Sequence, residues 1–174
     1  IECELALLEG GGLVGVTRNE GPVRFGSDIL TGTDVDRLVT TPIRRKLDSP
    51  NLFVWNDEPW LIARRSTAFD GAYDLAPRFV PGAIAIRINQ LLWSATRKRS
   101  ALFRLDPSGP GLEWVADLPS RGDTSFGAVV IEDDGSLLVA DYTSPRDVGD
   151  VSWVRGQLRP TVINAVRITA DRNR

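Results

Sequence analysis

Short apolar runs separated by compact polar turns recur along this chain. Ala128–Ile131 and Leu137–Ala140 flank Glu132-Asp133-Asp134-Gly135, whose glycine can take positive φ and close a hairpin. Leu5–Leu8 and Leu13–Thr17 flank Glu9–Gly12 in the same way, and Leu52–Trp55 and Trp60–Ala63 flank Asn56–Pro59. Each second run ends on polar residues: Arg18-Asn19-Glu20, Arg64-Arg65 and Asp141-Tyr142. Further strands are expected at Arg24–Ile29, Thr40–Lys46, Ala101–Asp106, Leu112–Leu118 and Thr161–Thr169. Residues 66 to 96 alternate poorly and carry Pro77, Pro81 and Gly82. They read as an insertion over one face of the sheets, with Ala83–Ala95 a candidate short helix.

A hairpin used three times, with polar groups delivered at the same end, is the pattern of a blade repeat. It predicts an all-β fold: a β-propeller fragment of about three four-stranded blades. The chain reads as one partial domain, 1–174, with blades near 1–47, 48–119 and 120–170. Three blades alone would expose two strand edges and much apolar surface, which natural folds avoid. Either an N-terminal half lies upstream or two copies associate, and the missing half is the simpler expectation. The lack of methionine, and an Ile1 that opens almost inside a strand, point to a fragment as well.

Composition narrows the chemistry. No histidine is present, which excludes Ser-His triads and His-ligated zinc, and the single Cys3 excludes an intrachain disulfide. A metal or other cofactor is not expected. The net charge of −2 gives no general reason to expect nucleic acid, and no apolar run reaches the roughly 20 residues of a membrane helix. Asp133-Asp134-Gly135 lacks the ligand spacing of a calcium loop and reads as a plain turn. No targeting segment is visible, and the compartment is left open.

The hairpin ends carry a resemblance. Ile1-Glu2-Cys3-Glu4, the following turn and Val16-Thr17-Arg18-Asn19 resemble a motif of the sialidase-like, six-bladed β-propellers, in their C-terminal half. In that family a glutamate opens a blade's inner strand and an arginine closes the next. GDTSF, DYTSP and Trp153-Val154-Arg155-Gly156-Gln157-Leu158 resemble an uncharacterised branch of it. The resemblance implies half of a six-bladed propeller. It matches Tyr142, after its Asp134-Gly135 hairpin, to a nucleophile, Glu2 to that tyrosine's base, and Arg18 and Arg99 to substrate-holding arginines. The acid/base aspartate and a further arginine would fall upstream.

The implied function is that of a glycoside hydrolase fragment of exo-sialidase type, acting on a glycan or glycoconjugate that carries an acidic sugar. Guanidinium groups would hold the sugar's carboxylate through bidentate hydrogen bonds, and a tyrosine would replace the usual carboxylate nucleophile. Glu4 substitutes for Glu2 if the register is off by two, and Arg65 or its neighbour Arg64 could enter the site. Trp153, in a loop after the tyrosine, could stack on a sugar ring. The alternative is a non-catalytic propeller that binds carbohydrate or protein through the same face. On the plainer reading Tyr142 is a strand-end aromatic and the charged runs are solvated.

Overall fold

Period-two alternation decides which side of each strand is buried, and the fold follows from it. The computed structural model describes residues 2–21 and 24–169. Ile1, Pro22, Val23 and the tail Ala170–Arg174, whose polar composition predicts fraying, lie outside the described residues.

The first sheet contains β1 (Glu2–Leu7), β2 (Leu13–Glu20), β3 (Phe25–Gly32) and β4 (Val39–Ile43) in sequence order. The second contains β5 (Asp48–Trp55), β6 (Glu58–Ser66), β7 (Lys98–Leu105) and β8 (Leu112–Asp117), again in order. The third contains β9 (Ser125–Ile131), β10 (Leu137–Thr143) and β11 (Val162–Ile168), with β10 central. Every pairing is antiparallel. The chain is all-β, with three successive sheets of the kind found in a β-propeller fragment. The third sheet has three strands among the described residues, where four were expected. Residues 144–161 form turns and the short α2 (Trp153–Gly156), and β11 then pairs directly with β10.

The first strands of the sheets, β1, β5 and β9, are neighbours, with β5 in the middle. On β6 alternate residues face opposite ways. Leu61 and Ala63 join Ala6, Val14, Val16 and Ile29 in a core between the first and second sheets. Ile62 joins Leu137 and Val139 in a core between the second and third. Covering both faces of the second sheet holds the three together, since each fully buried aliphatic side chain contributes about 1.5–3 kcal/mol.

The expected insertion contains α1 (Gly82–Ala95), whose Trp93 and Asn89 are buried. Asn89 accepts backbone N–H groups from Leu75 and Ala76 at 2.9 and 2.8 Å, which ties the preceding loop to the helix. Among the described residues, no helix is long and apolar enough to cross a membrane.

Candidate functional site

Asp48 is the hub. It opens β5 at a bulge, where the pairing register with β6 shifts between Asp48 and Asn51 and Ser49 takes a φ of 47°. Bulges re-aim side chains, and this carboxylate, 1% exposed, lies between sheets. Its Oδ1 is 3.2 Å from Arg18 Nε and also meets Lys46 Nζ. Its Oδ2 accepts from Arg64 Nη2 at 3.1 Å and from Trp93 Nε1 at 3.0 Å. A buried carboxylate is tolerable only when paired and hydrogen-bonded in this way.

Arg18, near the end of β2, stands opposite Glu2 in the β1–β2 register and donates to Glu2 Oε1 at 2.7 Å. Glu20 takes the other Nη at 2.9 Å. Burial opposes the charge on Arg18, but hydrogen bonds to Glu2 and Glu20 outweigh it and raise its pKa. Lys46 also donates to Glu20, at 2.8 Å. Even so, burial dominates its titration and brings the ammonium down to about 7.

Arg64 carries the network to the third sheet. Its Nη1 donates to Thr124 O at 3.3 Å and is 3.9 Å from Asp123 Oδ1. Its guanidinium lies 4.9 Å from the centre of the Trp153 ring. The same Asp123 Oδ1 accepts from Trp153 Nε1 at 3.0 Å and from the Tyr142 hydroxyl at 3.5 Å. A second bulge, between Ala140 and Tyr142, sets the tyrosine's aim, and Phe126 beside it takes a φ of 53°. Burial and then Asp123 raise the Tyr142 pKa. Ser125 Oγ is buried with no hydrogen-bond partner among the described residues.

Lys98 completes the interior. It is 0% exposed, and burial followed by repulsion from Arg64 and Lys46 lowers its pKa to about 5. At neutral pH it is therefore an amine. It donates to Trp93 O at 2.6 Å and Thr96 Oγ1 at 2.7 Å, and its closeness to the Trp93 ring, 3.3 Å, is a packing contact rather than a cation–π pair.

These groups wall a cavity of about 190 Å3, with Phe25, Trp93 and Trp153 supplying aromatic surface and Glu20, Asp48, Arg64 and Gln90 supplying polar atoms. The first and second sheets, α1 and α2 contribute to it. Aromatic faces suit the C–H surface of a sugar ring, and planar amide, carboxylate and guanidinium groups suit its hydroxyls.

The structure brings Glu2, Arg18, Tyr142 and Trp153 into one connected network, through Asp48, Arg64 and Asp123. Within it Glu2 pairs with Arg18, and the carboxylate within reach of Tyr142 is Asp123. Glu4, opposite Val16, is exposed. Arg65 and Arg99 lie outside the network. Strand alternation sends Arg65 to the other side of β6 from Arg64, where it pairs with Asp117 at 2.7 Å. Arg99 pairs with Asp150 at 2.7 Å. Sequence reasoning missed Asp48, Glu20, Lys46, Lys98, Trp93 and Asp123. The parity of β6 was the one available signal, since it separates Arg64 from Arg65.

No family model matches the sequence, and no curated protein matches it. Among solved structures, the chain is similar to the phage phi92 endosialidase, at 16% sequence identity with a TM-score of 0.54. The match covers 94% of this chain and 26% of that one, so the chain spans about a quarter of its length. This likeness is one of fold.

Proposed function

We propose that this chain is part of a sialidase-like propeller that binds a glycan in the cavity between Trp93 and Trp153. The observation that supports this reading is the wall itself: three aromatic rings beside Asp48, Glu20, Gln90 and Arg64, at the meeting point of successive sheets. Sugar sites combine an apolar platform with a few fixed polar groups in this way. The shared fold with an endosialidase agrees with it without deciding the ligand, because a fold hosts many functions.

Titrating the protein with sialylated, uronic-acid and neutral oligosaccharides by calorimetry tests the reading. Binding of at least one class, lost in Trp153→Ala, is the expected result. No binding across the panel contradicts it.

Hydrolysis of an acidic glycoside is the second reading, favoured by the Tyr142–Asp123 contact next to Arg64. On this reading Tyr142 attacks the anomeric carbon as the glycosidic C–O bond breaks, and the leaving oxygen takes a proton from water or from the upstream acid that the resemblance implies. Asp123, rather than Glu2, receives the phenol proton. The raised pKa of Tyr142 leaves the phenol protonated at rest, so it needs that base. Turnover of a fluorogenic sialoside, abolished by Tyr142→Phe and reduced by Asp123→Asn, is what this reading requires. Turnover unchanged in both variants removes it.

A further inference from the structure

Trp153 lines the cavity, and its chain neighbours Val151, Ser152, Val154 and Arg155 line two open grooves. One, of about 480 Å3, is lined by Arg97, Asp150, Ser152, Val154 and Arg155 among others. The next, of about 350 Å3, is lined by Val151, Arg155, Leu158 and Arg159. Because both include Val151 and Arg155, they form one trough along α2. Its floor is anchored: residues 97 and 152 form a backbone bridge, and Trp153 N donates to Thr96 O at 3.0 Å.

Arg97, Arg155 and Arg159 line the trough against one acid, Asp150, in a chain whose net charge is −2. Arg97 and Arg99 share Asp150, at 3.8 and 2.7 Å, and Arg121 reaches the Arg146 carbonyl at 3.2 Å. Arg99 holds Asp150 below the ordinary carboxylate range, with Arg97 and Arg121 adding to the effect. Arg155 and Arg159 are exposed and have no side-chain hydrogen bond or ion pair among the described residues.

The cavity is the opposite case. Its Arg18 and Arg64 are already matched by Glu2, Glu20, Asp48 and Asp123, and Asp48 and Glu20 form part of its wall. A carboxylate entering there would meet like charge and find no unpaired guanidinium.

We infer that the ligand is an anionic polysaccharide that runs from the cavity past Trp153 into this trough, where Arg97, Arg155 and Arg159 bind its acidic groups. This rests on the glycan reading of the cavity and moves recognition of acidic groups from the central arginines to the flanking ones. A nucleic acid fits less well, because the trough offers no aromatic surface on which bases could stack.

The test uses the whole chain as wild type, as Arg155→Glu/Arg159→Glu and as Arg155→Lys/Arg159→Lys. The probes are polygalacturonate, neutral dextran, a single-stranded oligonucleotide and a sialylated trisaccharide. Thermal melts confirm that the variants fold, which exposed positions permit. The expected result is polygalacturonate binding that weakens with salt, falls about tenfold or more in the Glu pair and is largely kept in the Lys pair. Trisaccharide binding should change less than about twofold in both, since screening by water and salt limits the reach of exposed charges. A wild type that binds the trisaccharide but not polygalacturonate, or a polymer affinity the Glu pair leaves unchanged, overturns the trough and spares the cavity. So does dextran bound as tightly as polygalacturonate, or an oligonucleotide bound more tightly. A wild type that binds none of the three saccharides overturns both readings.

Discussion

At the scale of single residues, the interior spends stability on charge. Lys98 has a folded pKa of about 5, far below its value in an unfolded chain. Between pH 7 and 8.5 the unfolded chain therefore holds a proton at this position that the folded one lacks, so Lys98 makes stability rise with pH. Lys98→Met should flatten the pH dependence of urea-unfolding free energy over that range, by up to about 1.4 kcal/mol per pH unit. An unchanged slope would mean that Lys98 is cationic in the fold. Lys46, at about 7, acts in the same direction from pH 7 upward. Asp48 and Glu2 contrast in burial. Asp48→Ala strands Arg18, Lys46 and Arg64 together and should cost about 3–5 kcal/mol in chemical denaturation. Glu2→Gln, at a side chain 45% exposed, should cost less than about 1 kcal/mol. Tyr142 has an elevated pKa to which Asp123 contributes after burial. Asp123→Asn should therefore lower its ionisation midpoint, read by NMR in a Tyr73→Phe background.

At the scale of elements, the hairpins were legible because alternation and turn residues are local properties. The strand pairs around Gly12, Asp57 and Gly135 fall where the apolar runs place them. Strand lengths were less legible: β2 continues through Arg18 to Glu20, and β10 includes Tyr142, because cross-strand pairing extends past the last apolar residue. Which charged residue turns inward was readable only with the register in hand. In Arg97-Lys98-Arg99, a run that looks solvated, the middle residue is buried and its neighbours lie at the surface. The role of α2 was not legible at all. It seats Trp153 by pressing Gly156 onto the backbone of Gly122 and Asp123, where an added Cβ would collide. Gly156→Ala should displace the helix, cost about 1–3 kcal/mol by overpacking and loosen the Trp153–Asp123 hydrogen bond. A melting temperature and indole spectrum equal to wild type would show that the close approach is not needed.

At the scale of the molecule, three sheets with adjacent first strands bring residues 2, 18, 48, 64, 123 and 142 into one network. Spacing along the chain could not reveal the partners, because Arg18–Asp48 and Arg64–Asp123 join residues of different sheets and loops. The fold was legible in the repeated hairpins; the charge balance at its centre depends on contacts between sheets, which no local pattern encodes. The central claim, that a glycan occupies the cavity between Trp93 and Trp153, has built-in reporters. Both indole N–H groups line or border that space and are hydrogen-bonded to Asp48 and Asp123, while Trp55 bonds to Gly135 and Trp114 to Asp117, outside the cavity wall. The most direct measurement is the movement of the tryptophan indole resonances in a nitrogen-15 spectrum as a sialylated or uronic-acid oligosaccharide is added. The account predicts saturable shifts at Trp93 and Trp153, with Trp55 and Trp114 still. Shifts confined to Trp55 or Trp114, or no movement with any saccharide, would contradict it.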